Sequence, residues 1–342
     1  MKPLVSILIP AYNAEKWISD TLRSAIAQTY ANREIIVVDD GSKDGTFDAA
    51  RRFEADGVRV ITQKNQGAAA TRNAAYKLST GDYIQWLDAD DLLSPNKIQS
   101  QVDAAAQTGD RRRLFSCGWS SFLYRYYRAR FVPTPLWSDL SKTEWLFRKM
   151  SLNLHMQTAT WLVSRELTEA AGPWNTNLLG DDDGEYFCRV LLASNGVRFV
   201  PEARVYYRAS GAGSLSHIGN SDRKRDAQWV SMELHMRYLR SLEDAPRTRA
   251  ACVTYMQNWL NFFYPERLDL VERMQSVARE LGGELQMPRL SWKYSWIESL
   301  FGQNAGRSAQ IALPRLKWSL LRSYDKVLFR LSNRELSALR TG

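Results

Sequence analysis

Acidic residues at the end of an apolar strand give the strongest chemical signal in the chain. Gly81-Asp82-Tyr83-Ile84-Gln85-Trp86-Leu87 reads as a strand and runs straight into Asp88-Ala89-Asp90-Asp91. Three carboxylates this close repel one another unless a cation or a basic side chain offsets them. Hard oxygen donors at this spacing suit Mg²⁺ or Mn²⁺, ions that usually hold the phosphates of a substrate. A second acidic run, Asp181-Asp182-Asp183, stands before an amphipathic segment, where a helix macrodipole favours negative charge.

Acids in such positions need a scaffold, and the first half of the chain supplies one by alternating strand and helix signals at the rhythm of βαβ units. Strands are expected at Leu4 to Ile9, Glu34 to Val38, Val58 to Ile61 and Tyr83 to Leu87. Between them, helical spacing covers Trp17, Ile18, Leu22, Ala25 and Ile26, then Thr46 to Phe53, then Ala68 to Leu78. Asn13 is the expected cap of the first helix, and Ser94-Pro95 the expected start of a helix behind the acids. Each polar cluster falls at the C-terminal end of a strand, the edge where open α/β sheets bind ligands. Tyr12, Asn13, Asp39, Asp40, Asp88 and Asp90 are therefore expected to converge on one crevice.

Later elements are less regular. Leu114 to Phe131 is aromatic without a clear period, and Ser141-Lys142-Thr143-Glu144 is a capping-box sequence for a following helix. A strand is expected at Ala159 to Val163, with a short helix from about Arg165. Past Ser216 the pattern is helical, over Trp229 to Leu242, Ala250 to Phe263 and Leu268 to Leu281. The expected division is residues 1–216 as the α/β domain, 217–285 as a helical extension and 286–342 as a basic, Trp-rich amphipathic tail.

Bulk properties exclude several classes. The hydrophobic fraction of 44% over 342 residues is ordinary for a globular protein, so disorder is not expected. The longest apolar runs fall far short of the roughly 20 residues that a spanning helix needs. Met1-Lys2-Pro3 leads into a strand rather than a signal peptide, so a cytoplasmic location is expected, with peripheral attachment to the inner face of the cell membrane as an added possibility. Cys117, Cys188 and Cys252 are scattered and odd in number, which argues against a disulfide framework or a zinc site. The net charge of +9 is concentrated at the end: residues 286–342 hold ten Lys or Arg against three Asp or Glu. That tail suits an anionic membrane surface or packing against the protein itself; nucleic acid is not expected, since no recognised binding module accompanies the charge.

Four strings, taken together, carry a resemblance: Val5-Ser6-Ile7-Leu8-Ile9-Pro10-Ala11-Tyr12-Asn13; Glu34-Ile35-Ile36-Val37-Val38-Asp39-Asp40-Gly41-Ser42; Asn65-Gln66-Gly67 to Thr71-Arg72-Asn73; and Asp88-Ala89-Asp90-Asp91. In this order and spacing they resemble the family 2 glycosyltransferases of GT-A fold, over about residues 4 to 216. The resemblance implies a Rossmann-like, mixed and mostly parallel sheet flanked by helices, here with an α-helical C-terminal extension. It also implies an inverting transfer of a sugar from a nucleotide-sugar donor, expected to be a UDP-sugar, to a saccharide or lipid-linked acceptor for cell-surface polysaccharide or glycolipid. By matching positions, Pro10, Ala11, Tyr12 and Asn13 would line the nucleotide pocket together with Asp39 and Gly67. Asp40 would bond the base, and Arg72 would support the donor beside Asp88 and Ala89. Asp88 and Asp90 match the metal-binding D-x-D element for Mg²⁺ or Mn²⁺. Asp182-Asp183-Gly184-Glu185-Tyr186-Phe187-Cys188-Arg189 resembles the E-D-x-[DE]-x-x-x-R element, which places the general base at Asp183 with Asp182 as runner-up.

Two departures qualify what the resemblance implies. Members often carry a His shortly after a Tyr-Arg pair, whereas Tyr207-Arg208-Ala209-Ser210 has Ser there, leaving His217 as the substitute metal contact. The Q-x-x-R-W element of processive synthases is also absent, which favours single additions. Two rival readings stay open: a catalytically degenerate nucleotide-sugar-binding or scaffold protein of the same fold, and a nucleotidyltransferase. The latter would need a Gly-rich phosphate loop after the first strand, where Pro10-Ala11-Tyr12-Asn13 stands instead.

Overall fold

The computed structural model describes residues 2–209, 221–288, 297, 299–300 and 303–331. Its strands are β1 (Val5–Ala11), β2 (Arg33–Asp39), β3 (Val58–Thr62), β4 (Tyr83–Trp86), β5 (Leu92–Leu93), β6 (Leu114–Phe122), β7 (Val163–Ser164) and β8 (Val197–Arg208). The helices are α1 (Ile18–Ile26), α2 (Thr46–Arg51), α3 (Ala68–Leu78), α4 (Lys97–Thr108), α5 (Lys142–Ser151), α6 (Arg165–Ala171), α7 (Asp182–Ala193), α8 (Asp222–Leu242), α9 (Pro246–Phe263), α10 (Leu268–Glu280) and α11 (Gln303–Leu331).

The main sheet has the order β3-β2-β1-β4-β7, with β1 to β4 parallel and β7 antiparallel to β4. Its strands are continuous apolar runs because helices cover both faces. Ile7 and Ile9 enter one apolar cluster with Ile35 and Val37, while Leu8 enters the other with Ile36 and Val38. The register pairs Ala11 with Asp39 and Leu8 with Trp86, so the strands end along one edge and their polar loops emerge side by side.

A second sheet, β5-β8-β6, sits beyond the acidic loop. The stretch after Leu114, expected to be irregular, is instead the nine-residue strand β6, lying parallel to β8 with a register shift at Cys117/Gly118. Alternation is hidden there because both faces of β6 are buried. The expected strand at Ala159 to Val163 is corrected too: residues 158–160 form a single 3₁₀ turn, and only Val163–Ser164 pairs as β7.

Helix starts differ in detail. Ser141 accepts the backbone N–H of Glu144, as its capping sequence predicts. Asn13 caps nothing: α1 begins at Ile18, and Asn13 sits in the left-handed region at φ 49°, where its side-chain oxygen accepts the Lys43 N–H. Ser94 is not a cap either, since α4 starts at Lys97 and the Ser94 hydroxyl accepts the Arg204 N–H from β8.

The helical extension shares the core of the sheet. One cluster runs from Leu8, Ile36 and Trp86 through Trp161 and Tyr186 to Trp229, Met256 and Met274: α8 and α9 pack against α7 and α5, and α10 packs against α9.

Candidate active site

Three loops at the C-terminal edge of the sheet, together with the start of α7, form the site. Following β2, the Asp40 carboxylate is buried and accepts three hydrogen bonds, from Gln63 Nε2 at 2.8 Å, Gln66 N at 2.9 Å and Gly67 N at 2.8 Å. Asp40 thereby fixes the turn that starts α3, where Gly67 takes φ 89°, a conformation that favours glycine. Asp39 accepts from Thr62 Oγ1 at 3.0 Å and from the Ser42 N–H at 3.2 Å, and its Oδ1 is buried without a protein partner among the described residues. At the end of β1, Pro10 and Ala11 bring the chain to Tyr12, which is 45% exposed.

The acidic loop is gripped from two sides. Arg72 on α3 donates from Nη2 to Asp88 Oδ1 at 2.9 Å and from Nη1 to Asp182 Oδ2 at 2.8 Å, so one guanidinium ties the loop after β4 to the start of α7. It lies over the Trp174 ring at 4.4 Å, and Trp174 stacks on Tyr186 with centroids 4.0 Å apart. Asn73, next to Arg72, exchanges two hydrogen bonds with the Trp174 backbone. From the other side, Arg208 at the end of β8 donates Nε to the Asp90 carbonyl at 2.8 Å and Nη2 to Asp20 at 3.2 Å, and it lies over the Trp17 ring at 4.3 Å. These two arginines are the basic partners that the acidic string demands.

The acids then divide by orientation. Asp91 is fully buried and accepts from the Gln157 side chain and, at 2.8 Å, from the Arg208 N–H. Burial first, then the neighbouring Asp90 and Asp88, push its pKa well above the ordinary carboxylate value. It anchors the loop from beneath. Asp88 and Asp90 stay partly exposed on the turn closed by the Asp91 N–H to the Asp88 carbonyl, and Ala89 is tucked underneath, its carbonyl accepting from Thr21 Oγ1 at 2.9 Å. Among the described residues no group of three His, Cys, Asp or Glu side chains gathers as a metal cage. Two hard carboxylates on one turn, with the remaining positions left to phosphate and water, is a donor set that fits Mg²⁺ or Mn²⁺. His217 lies outside the described residues.

At the start of α7, Asp181 holds the left-handed conformation at φ 52° and accepts from Ser231 Oγ at 2.8 Å and Gln228 Nε2 at 3.3 Å, both on α8. A side chain at Gly184 would put its Cβ 2.1 Å from Asp181 Oδ1, so the tight cap requires glycine one turn into the helix. Asp182 and Asp183 follow and have different partners: Asp182 is paired with Arg72, whereas Asp183, among the described residues, accepts only a hydroxyl, from Thr158 Oγ1 at 3.1 Å.

Burial raises the Asp182 pKa to about 6, with Arg72 pulling it down and Asp183, Asp88 and Asp181 pushing it up. A carboxyl whose pKa is raised in the fold binds more protons folded than unfolded between about pH 4 and 6, so its contribution is present below that window and is lost as pH rises through it. Asp182→Asn is expected to flatten that part of the stability-versus-pH curve, measured by thermal denaturation from pH 4 to 7.5. An unchanged slope would mean that Asp182 titrates normally.

Sequence reasoning gave Trp174 and Thr158 no role, read Asp181 only as part of an acidic helix start, and treated Arg208 only as a landmark. Gly172-Pro173-Trp174 carried a usable signal, an aromatic placed directly after a helix stop. Thr158 and Ser231 carried none, since their roles depend on contacts 25 and 50 residues distant.

Comparison with known proteins adds independent findings. A family model described as Glycosyl transferase family 2 matches residues 6–170. An uncharacterized glycosyltransferase of Rickettsia typhi is 31% identical over 228 residues, which cover 66% of this chain and 70% of that protein. The UDP-Glc:alpha-D-GlcNAc-diphosphoundecaprenol beta-1,3-glucosyltransferase WfgD of Escherichia coli is 42% identical over 100 residues, 29% of this chain and 40% of that protein. Against another relative, an uncharacterized glycosyltransferase of Rickettsia felis, the match spans 51% of that protein, so this chain covers about half of its length. In fold, the chain is similar to S. aureus TarS 1-349, solved in complex with UDP-GlcNAc, at a TM-score of 0.56 and 17% identity over 89% of this chain and 93% of that one. It is likewise similar to the mannosyltransferase PcManGT from Pyrobaculum calidifontis, solved with GDP-Man and Mn2+, at a TM-score of 0.53 and 18% identity over 97% of this chain and 87% of that one.

Proposed function

The chain belongs to the family 2 glycosyltransferases and has their GT-A fold, and from that premise we propose that it transfers a sugar, with inversion, from a nucleotide-diphosphate sugar to an acceptor hydroxyl. The observation that carries this reading is the Arg72 bridge, which joins the loop of Asp88 and Asp90 to the pair Asp182 and Asp183 in one crevice. Cation ligands and a base are what the two faces of an inverting centre require.

In the reaction proposed, the acceptor oxygen attacks the anomeric carbon while Asp183 takes its proton. The anomeric C–O bond to the diphosphate breaks, and its electron pair leaves on the phosphate oxygen. Asp183 suits the role because among the described residues no arginine is ion-paired or hydrogen-bonded to it, and the Thr158 hydroxyl fixes the carboxylate without consuming its charge. Asp182 orients Arg72. Mg²⁺ or Mn²⁺ held by Asp90 and Asp88 would neutralise the departing diphosphate. Tyr12 is assigned to stack on the base, with Pro10, Ala11, Asn13 and Asp39 around it, and Asp40 and Gly67 to hold the loop at its far side. His217 remains a candidate for a further metal contact.

A UDP-sugar is the proposed donor and a lipid-linked saccharide the proposed acceptor, by analogy with WfgD, named as a UDP-Glc-dependent glucosyltransferase on a diphosphoundecaprenol-linked sugar, and with the UDP-GlcNAc bound to TarS. A screen of UDP-, GDP-, dTDP- and ADP-sugars with Mg²⁺ and with Mn²⁺, read by nucleotide release on acceptor addition, is expected to single out a UDP-sugar. Tight nucleotide binding without release across the panel would favour the scaffold reading. Pyrophosphate release from a nucleoside triphosphate would favour a nucleotidyltransferase.

A further inference from the structure

More than half of the large apolar residues that stand exposed among the described residues lie between Leu300 and Leu331. On α11 they form a stripe: Leu313, Leu316, Leu320, Tyr324, Val327 and Leu331 recur every three or four residues and all are exposed. The opposite side of the same helix is engaged. Asp325 accepts from the backbone N–H groups of Tyr124 and Arg125 at 3.0 and 3.3 Å and from Arg125 Nε at 2.6 Å, and Phe329 lies 6.2 Å from the Tyr124 ring. The helix is thus held to the protein by one side while its apolar side stays exposed among the described residues.

Charge selects the occupant of that side. From Gln303 to Leu331 the sequence has six Lys or Arg and one acid, Asp325, which Arg125 neutralises. A second copy would bring the same cationic helix against itself, and nucleic acid offers no match for a stripe of Leu, Val and Tyr. An anionic bilayer satisfies both faces, with acyl chains for the stripe and headgroups for the cations, and Lys317 and Arg330 flank the stripe at the boundary between them. No described helix is long and apolar enough to cross a membrane, so the geometry is in-plane.

We propose that α11 docks this protein in the plane of an anionic lipid bilayer through the Leu313 to Leu331 stripe. The contact also orients the site. Tyr124, held by α11, lies 5.6 Å from Trp17, whose ring carries Arg208, and Arg208 grips the Asp90 carbonyl. Four successive contacts, α11 to Tyr124, Tyr124 to Trp17, Trp17 to Arg208 and Arg208 to Asp90, therefore join the docking helix to the acidic loop.

The test is flotation of the full chain with phosphatidylcholine vesicles, with and without roughly 30 mol% phosphatidylglycerol. The wild type is expected to float only with the anionic vesicles, and Leu320→Glu/Val327→Glu to remain at the bottom. Lys317→Glu/Arg330→Glu is expected to lose roughly fivefold in partition for each basic residue removed. All these side chains are exposed, so unchanged circular dichroism and melting temperature would verify folding. Equal flotation of wild type and Leu320→Glu/Val327→Glu overturns the proposal. So does a wild-type dimer in sedimentation that the glutamates dissolve while vesicles are ignored, which would make the stripe a self-interface. Donor turnover without vesicles is a separate readout, so failure here leaves the sugar-transfer reading intact.

Discussion

Asp183→Asn is expected to lower kcat for sugar transfer by roughly 10²- to 10⁴-fold, the range that a positioned general base contributes. Asn is isosteric, and its amide oxygen can still accept the Thr158 hydroxyl that holds Asp183, so the start of α7 should keep its shape. Donor affinity by calorimetry is expected to stay close to wild type, because the proposed base would act on the acceptor hydroxyl rather than on the nucleotide. Asp182→Asn provides the contrast: it weakens the Arg72 bridge, and its larger effect is expected on donor KM. If Asp183→Asn kept wild-type kcat while Asp182→Asn abolished it, the base would be Asp182.

Arg72→Ala is expected to be the most damaging single change for stability and activity together. The guanidinium is buried, bonded to two carboxylates and stacked on Trp174. Its removal strands Asp88 and Asp182 with like charges nearby. Breaking a buried pair costs about 3–5 kcal/mol, and both carboxylates keep some access to water, with side-chain exposures of 29% and 17%, so the lower end applies. A fall in melting temperature on the order of 5 °C follows. Without Arg72 the Asp182 carboxyl, already at about 6, moves further up and becomes protonated near neutral pH. Arg72→Lys should rescue little, because an ammonium lacks the planar fork that reaches two acids at once. Arg72→Ala/Asp182→Asn should recover part of the stability and none of the turnover. A single Arg72→Ala variant that melts and turns over like wild type would show the bridge to be incidental.

Much of this architecture was legible because its signals are local. The parallel strands announce themselves as short β-branched runs stopped by polar clusters, and α3 begins and ends at Ala68 and Leu78 as its spacing predicts. The site was legible one loop at a time for the same reason: Asp39-Asp40-Gly41, Asp88-Ala89-Asp90-Asp91 and Asp182-Asp183-Gly184 each lie where a strand or helix must place them. β6 and β8 were harder. Burial on both faces of β6 removes the alternation that would mark it, and in β8 the alternation is interrupted at Pro201 and Glu202, both exposed. Helix starts near Asn13 and Ser94 misled because Asn and Ser cap turns as readily as helices, and here the surrounding loop claims their side chains.

What the sequence by itself determined is the inventory and its edge: which residues carry charge, that they end parallel strands, and that strand ends share one side of the sheet. Only the tertiary structure decided how the three adjacent acids of each cluster differ. Asp91 turns inward onto Arg208 and Gln157, Asp88 and Asp182 share Arg72, and Asp183 is left with a hydroxyl. Adjacent carboxylates are chemically identical in sequence. Burial and partner, contributed by residues 16 to 117 positions away, are what separate the anchor Asp91 from the proposed base Asp183.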